Sequence, residues 1–173
     1  MNRIFSILVC LGVALNLGAA PLRFNFRSAD ITPLEEDHTM LAGFAARNDL
    51  HDGVHTPLKA GCFVFLDKGT GRKVCVVSLD MMELAPVLAD ELRDSIQART
   101  GIGKDNILLH CIHTHSAPRV GGRWIDEGAA NRPFYLRFKE SVLNLAVSTI
   151  NDEGGFRKFK VEIGKCSTSI SGN

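Results

Sequence analysis

The sequence predicts an α/β domain in which helices pack on a mixed sheet that contains a βαβ unit. Three observations support this fold class: two apolar strands joined by a glycine-containing turn, an amphipathic helix after them, and an apolar strand after the helix. A strand–helix–strand crossover joins parallel strands and is right-handed in nearly all known cases. The 45% hydrophobic content is sufficient for the core of one domain.

The first half of the domain is predicted to be mainly strand and loop. An opening extended segment ends at Pro33, and residues 34–57 have no sustained period and predict a long surface loop. Residues 61–66 and 73–79 predict strands that form an antiparallel hairpin. The second strand is apolar on both faces, which favours a central position in the sheet.

The second half alternates helix and strand. Leu88, Leu92 and Ile96 recur every four residues between a proline and a glycine, which predicts a helix. The predicted elements are a helix over 86–100, a strand over 106–112, a helix over 132–150 and a strand over 156–164. We expect the last strand to pair on one side only and to leave an apolar sheet face, so residues 21–173 alone should tend to associate.

Residues 1–19 have the pattern of a secretory signal peptide. Arg3 provides a positive start, residues 4–15 are mostly apolar, and small residues surround a predicted cleavage site after Ala19. An uncleaved membrane anchor is the alternative, but the apolar stretch is short for a span of about 20 residues. The sequence thus predicts an exported protein, secreted or periplasmic, whose mature domain covers residues 20–173 and contains no membrane span.

The charge balance limits the class of partner. The chain has 20 basic and 19 acidic side chains, a formal net charge of +1 and no run of like charges. A nucleic-acid footprint would require a basic patch, which this sequence does not show. We therefore expect a neutral or small-molecule ligand.

Four cysteines remain once the leader is removed: Cys62, Cys75, Cys111 and Cys166. In an oxidising compartment they allow three pairings, and their spacing selects none of them. Three of them lie in apolar runs, which favours buried free thiols over bridges. For Cys111, packing in the sheet is favoured over a role as a soft metal ligand.

The segment His113-Thr114-His115 follows the predicted strand over residues 106–112. Residues i and i+2 of a strand share a face, so two imidazoles should lie side by side at the sheet edge, where they favour metal chemistry or proton transfer; an ordinary surface pair is the alternative. Asp80 ends the parallel neighbour strand, and ligand sites in open α/β sheets lie at such carboxyl ends. Asp80 is predicted either to orient a histidine ring or to cap the following turn.

Other polar residues receive structural interpretations. His110 is predicted to point to the opposite sheet face and to belong to the core, while His38 and His51 are predicted to be solvated in the long loop. Ser116 lacks the G-x-S-x-G pattern of an activated nucleophile, which favours a loop hydrogen bond. Trp124 is predicted to pack, with contact to an acyl chain as the alternative.

Several segments in order resemble the N-terminal domain of the neutral/alkaline non-lysosomal ceramidase family. They are Ala29-Asp30-Ile31-Thr32-Pro33, residues 40–47, residues 53–58, residues 77–80, and His113-Thr114-His115-Ser116-Ala117-Pro118. The resemblance implies a zinc-dependent amidase that splits ceramide, or a related N-acyl lipid, into an amine and a fatty acid. It implies that His113 ligates zinc and that His115 and His55 line the active site.

Two departures from the family accompany this resemblance. Ala117 stands where well-studied ceramidases have glycine, which indicates a subgroup whose substrate need not be ceramide. The chain is also much shorter than family members, so we expect a truncated N-terminal portion of a larger catalytic domain, with the remaining zinc ligands beyond Asn173. Such a chain alone is predicted to be inactive, and a non-catalytic secreted domain or inactive remnant is the alternative function.

Overall fold

A five-stranded mixed sheet forms the framework of the chain. Its strands are β1 (Leu22–Asp30), β2 (Lys59–Asp67), β3 (Lys73–Leu79), β4 (Ile107–Cys111) and β5 (Arg157–Lys158), in the spatial order β4-β3-β2-β1-β5. The helices are α1 (Pro86–Thr100) and α2 (Arg132–Asn151), with short 3₁₀ turns at Glu35–Asp37, Lys104–Asn106 and Glu153–Gly155.

The computed structural model describes residues 21–44, 47, 50–120 and 132–168. The predicted signal peptide and Trp124 lie outside the described residues. Within them, the predicted hairpin is confirmed, because β2 and β3 pair antiparallel. The predicted βαβ unit is also confirmed, because β3 and β4 are parallel and α1 connects them. β3 lies between β2 and β4, as its apolar composition indicated.

Both helices pack on one face of the sheet. Helix α1 begins at Pro86 and ends at Gly101, whose φ of 74° is left-handed and whose N–H donates to the Gln97 carbonyl at 2.8 Å. The alternate residues of β2 that face the helices are buried, and they meet Leu88, Leu92 and Ile96 of α1 and Phe138 and Val142 of α2 in one core. Burial of each such side chain stabilises the fold by about 1.5–3 kcal/mol, so this core accounts for the attachment of both helices.

The other sheet face carries an aromatic cluster that is only partly covered. Neighbouring ring centroids in this cluster lie 4.7–6.2 Å apart, and its members are Phe24, Phe26, Phe63, Phe65 and Phe159. Phe26 remains 46% exposed. The predicted apolar sheet face is therefore present in the described part of the chain.

The predicted strand over 156–164 is wrong in its extent. Only Arg157 and Lys158 pair, with Phe24 and Arg23 of β1. Because β1 begins at Leu22, its partner strand has almost no backbone to pair with beyond Lys158. Phe159 instead packs on the aromatic cluster, and residues 161–168 are exposed.

The cysteines of the described chain are free. Cys62 and Cys75 are fully buried, and their Sγ atoms lie 3.5 Å apart between β2 and β3. This contact and burial raise the pKa of the Cys75 thiol well above its ordinary value, whereas the pKa of Cys62 is lowered by the hydrogen bond from Cys75. Cys111 is half-buried, and its burial raises its pKa to about 11. The thiol of Cys111 thus stays neutral at physiological pH, which agrees with packing.

Strands β1, β3 and β4 end, and β2 begins, at the same end of the sheet. Asp30 at the end of β1 pairs with Lys59 at the start of β2, and Leu79 at the end of β3 pairs with Cys111 of β4. The Lys59 ammonium lies 2.7 Å from the Asp30 carboxylate. This contact and hydrogen bonds from Thr32 lower the pKa of Asp30 to about 2. The loops that carry the predicted site residues leave the sheet at this edge.

Candidate active site

His113 adopts a backbone conformation that is rare for a residue with a side chain. Strand β4 ends at Cys111, but the Ile112 and His113 N–H groups still donate to carbonyls of Leu79 and Met81, at 3.1 and 3.0 Å. The φ of His113 is 64°, in the left-handed region. Such a conformation costs about 1–3 kcal/mol and is common at functional sites. The chain therefore turns sharply at His113, and the hydrogen bonds to Leu79 and Met81, at and just after the end of β3, hold this turn in place.

The His113 ring is fixed in one tautomer. Its Nδ1 lies 3.1 Å from the carbonyl oxygen of Met82. Because a carbonyl only accepts hydrogen bonds, Nδ1 carries the proton and Nε2 keeps a free lone pair in the neutral ring. Metal-ligating histidines are commonly oriented by this type of Nδ1–H contact to a backbone carbonyl.

The two imidazoles of the predicted pair face each other. The Nε2 atoms of His113 and His115 are 3.4 Å apart, and the ring planes are inclined at 68°. The structure therefore brings the two residues together. It does so through the left-handed turn at His113, and not through the strand alternation on which the prediction depended.

The His115 ring packs directly against Gly43. A Cβ atom at Gly43 would lie 2.4 Å from Cγ of His115, and the φ of Gly43 is 87°. Phe44 meets the His115 ring edge-on at a centroid distance of 4.9 Å. Only glycine therefore leaves space for the imidazole at this place.

A set of hydrogen bonds, which we call the clasp, joins Leu41, Ala42 and Arg47 to the loop that carries the histidines. The Ala42 N–H donates to the Ala117 carbonyl at 2.8 Å, and the Arg47 guanidinium donates to the His115 carbonyl at 2.8 Å. Arg119 donates from Nε to the Leu41 carbonyl at 3.0 Å and also to the Arg47 carbonyl. The clasp fixes the backbone on both sides of His115.

A cavity of about 410 Å³ lies where the loops leave this end of the sheet, and neither His113 nor His115 is among its lining residues. His55 lines it, as do Thr114 and Ser116, which flank His115 in sequence. Asp80 also lines the cavity, but its carboxylate accepts the Lys59 N–H at 2.8 Å. In the described structure the group that orients His113 is the Met82 carbonyl, and Asp80 secures the end of the β2–β3 pair.

Two predictions about histidines are wrong. His110 is exposed, with Nδ1 3.4 Å from the Ser78 hydroxyl, because β4 is an edge strand whose outer face no helix covers. His51 is buried, because it pairs with Thr39 across the predicted loop. Sequence reasoning also missed Gly43, Met82 and the clasp arginines, although residues 40–47 lie in a segment that carried the family resemblance.

Residues 26–150 match the family model described as "Neutral/alkaline non-lysosomal ceramidase, N-terminal". The chain belongs to this family. The match covers the clasp, the cavity and both histidines of the pair, so the resemblance inferred from the ordered motifs is confirmed.

Curated relatives are neutral ceramidases from distant organisms. The chain is 29% identical to neutral ceramidase of Oryza sativa over 113 residues, which is 64% of this chain and 14% of that protein. It is 27% identical to neutral ceramidase of Pseudomonas aeruginosa over 150 residues, 83% of this chain and 22% of that protein. Neutral ceramidase A of Dictyostelium discoideum is 28% identical over 65% of this chain and 16% of its own length. This ceramidase-family chain thus spans less than a quarter of these relatives.

Solved structures confirm the α/β fold. A structure described as "Ceramidase complexed with C2" matches 80% of this chain and 22% of its own, with a TM-score of 0.66 and 19% identity. The neutral ceramidase structure from Pseudomonas aeruginosa matches the same shares with a TM-score of 0.65 and 20% identity.

The histidine pair of this ceramidase-family domain fits part of a zinc site. Zinc binds imidazole nitrogen at about 2.0–2.1 Å in tetrahedral geometry, so neighbouring ligands lie about 3.3 Å apart. The separation of 3.4 Å between the two Nε2 atoms allows one zinc ion to face both. Among residues 21–44, 47, 50–120 and 132–168, no group of three or more potential ligands is present.

Proposed function

We propose that this chain provides one side of the active site of a zinc-dependent amide hydrolase, which cleaves the N-acyl bond of ceramide or a related N-acyl lipid. The observation that carries the proposal is the His113 ring, whose Nδ1 contact with Met82 leaves an Nε2 lone pair facing His115 at 3.4 Å. Family membership supports ceramidase-like chemistry. The chain spans 14% and 22% of the length of the two relatives from Oryza sativa and Pseudomonas aeruginosa, and we propose that a larger catalytic unit supplies the remaining groups of the site.

The two histidines of the pair differ in what fixes their protons. The Met82 carbonyl holds the His113 tautomer, which suits a constant zinc ligand. In the described part of the chain the His115 ring has no contact with a carbonyl, and its Nε2 faces Nε2 of His113. We therefore assign zinc binding to His113 and proton transfer to His115. When bound, zinc lowers the pKa of a water ligand to about 7 and polarises an amide carbonyl.

His55 is assigned to the departing amine. It lines the cavity that Thr114 and Ser116 also line and is exposed, so its ring reaches a ligand without rearrangement of the core. An imidazole can donate a proton to a leaving amine as a general acid. We assign Ser116 no catalytic role. Its backbone N–H donates a hydrogen bond to the Thr114 hydroxyl at 3.2 Å.

The experiment is amine release from a panel of N-acyl substrates that includes ceramide. The enzyme is the full product of the genomic reading frame, and the 173-residue chain is assayed in parallel. We expect a chelator to abolish hydrolysis and added zinc to restore it. We expect His115→Ala to lower the rate about 10²–10⁴-fold, the usual contribution of a general acid or base. The 173-residue chain should show no turnover.

Full activity of His115→Ala, or activity that survives removal of zinc, would refute the proposal. His110→Ala is the matched control, because His110 is exposed on the outer face of β4 and should leave the rate unchanged. The panel also decides between ceramide and other N-acyl lipids, which the Ala117 departure leaves open.

The competing proposal is a secreted α/β domain without chemistry. It is favoured by the lack of a third ligand within the described residues. Equilibrium dialysis with zinc separates the two proposals. We expect weak binding by the 173-residue chain, because two imidazoles leave half of a tetrahedral coordination sphere to water. Absence of any binding at the pair would favour the non-catalytic domain.

Export through residues 1–19 remains part of the proposal. No helix of the described residues is long and apolar enough to span a membrane. Amino-terminal sequencing of the mature protein should begin at Ala20, and an intact leader on protein recovered from the cell envelope would support the anchor alternative.

A further inference from the structure

Gly43 and Phe44 are two consecutive residues in the left-handed backbone region. Their φ angles are 87° and 52°. Glycine adopts this region freely, but a residue as bulky as phenylalanine is a genuine outlier there. Strained residues of this kind cluster at functional sites, where the surrounding structure holds them in place. A turn alone would accept glycine or asparagine at lower cost, so the phenylalanine requires a further explanation.

Burial does not explain why a phenylalanine occupies this position. Phe44 is 68% exposed, so the fold removes little of its apolar surface from water. By contrast, Phe134 and Phe138 of α2 are almost completely buried in the core. The Phe44 ring is therefore held largely in solvent by a strained backbone, and its few contacts must account for it.

The Phe44 ring contacts both His115 and Arg47. It meets the His115 imidazole at a centroid distance of 4.9 Å, with the ring planes inclined at 81°. This edge-to-face arrangement is one of the favourable geometries for two aromatic rings. On the other contact, the guanidinium carbon of Arg47 lies 6.0 Å from the Phe44 ring centroid, within the range of a cation–π interaction.

Arg47 also joins Phe44 and His115 through their backbones. Its N–H donates to the Phe44 carbonyl at 2.6 Å, and its guanidinium donates to the His115 carbonyl at 2.8 Å. Gly43 lies so close to the imidazole that an added Cβ would be 2.4 Å from Cγ of His115. The His115 ring is thus contacted by Gly43, Phe44 and His113, while Arg47 fixes its backbone.

We propose that Phe44 is a positioning residue that holds the His115 ring against His113 before substrate or metal is bound. An imidazole rotates about two side-chain torsions, and only some of its orientations direct Nε2 to the Nε2 of His113 at 3.4 Å. The edge-on contact with Phe44 favours this orientation, and Arg47 keeps the Phe44 ring beside it. The benefit for catalysis rests on the proposed function, because a proton-transfer group misplaced by about 1 Å loses about 10²-fold in rate.

Histidine ring signals of the zinc-free 173-residue chain test this contact without catalysis. We expect a nuclear Overhauser effect between the His113 and His115 ring protons in the wild type. Phe44→Asn should lose this signal, because asparagine accepts the left-handed backbone but carries no aromatic ring. Phe44→Tyr keeps the ring and should keep the signal. Denaturant unfolding should show no loss of stability in Phe44→Asn, which separates loss of the ring contact from loss of the fold.

Turnover of the full product of the genomic reading frame provides a second readout. We expect Phe44→Asn to lower kcat for ceramide about 10- to 100-fold and to leave KM within about twofold, because Phe44 acts on His115 and not on bound substrate. Phe44→Tyr should retain most of kcat. Phe26→Thr is the matched control: Phe26 is also an exposed phenylalanine, but it belongs to the aromatic cluster on the sheet face opposite the helices, so both constants should stay unchanged.

The two readouts separate the positioning role from the proposed function. A ring–ring signal that persists in Phe44→Asn, or that is lost in Phe44→Tyr as well, would overturn the positioning role. Loss of the signal in Phe44→Asn alone, with no hydrolysis of any N-acyl substrate by the wild-type product, would support the positioning role and refute the amidase proposal. Hydrolysis that Phe44→Asn leaves unchanged, with the signal intact, would refute the positioning role and leave the amidase proposal standing.

Discussion

Gly43→Ala is expected to displace His115 and to weaken zinc binding at least about tenfold, as loss of groups that orient a metal site does. The added Cβ would lie 2.4 Å from Cγ, 2.5 Å from Nδ1 and 2.8 Å from Cβ of His115. None of these atoms is the far end of a flexible side chain, so the ring must move as a whole. The His115 backbone cannot follow easily, because Arg47 holds its carbonyl at 2.8 Å.

The substitution also strains the backbone, and a second glycine separates the two effects. Gly43 has a φ of 87°, and Gly71 has a φ of 70° with nothing within 4 Å of an added Cβ. Gly71→Ala should therefore lower the free energy of unfolding by about 1–2 kcal/mol through left-handed strain alone. It should leave zinc binding unchanged.

Zinc titration and denaturant unfolding of both variants provide the measurement. We expect Gly43→Ala to lose both stability and zinc affinity, and Gly71→Ala to lose stability only. Equal zinc affinity in the wild type and Gly43→Ala would show that the position of His115 does not depend on this contact.

The main elements follow from the sequence because their causes are local. The period of Leu88, Leu92 and Ile96 defines one face of α1, and the glycine-containing turn defines the hairpin. Parallel pairing of β3 and β4 then follows from the helical crossover between them. These features require no knowledge of distant contacts.

The details of the site depend on contacts between segments that are distant in sequence. The left-handed turn at His113 depends on carbonyls of Met81 and Met82, more than 30 residues earlier. Gly43 packs against the ring of His115, which belongs to the loop that follows β4 in the sequence. No period or spacing reports such contacts, so the sequence indicates that the histidines meet but not how they are oriented.

The wrong predictions have the same origin. His51 is buried because of its partner Thr39, although the sequence between them has no regular pattern. The last strand is short because β1 begins at Leu22, a limit set by the partner and not by the alternating residues themselves. Burial and pairing of such segments are decided by the tertiary structure.

The central claim is that His113 holds zinc and that His115 shares its site. Isothermal titration of zinc into the untagged 173-residue chain tests it most directly, with His113→Ala as the variant and His110→Ala as the control. His110 lies three residues earlier, is exposed and faces Ser78, so its loss removes an imidazole without touching the pair.

We expect one weak zinc site in the wild type and the same site in His110→Ala. His113→Ala should bind at least about tenfold more weakly, because even groups that only orient a ligand contribute about 10- to 100-fold to metal affinity. Equal zinc affinity in all three proteins would contradict the assignment of His113 and, with it, the proposed zinc site.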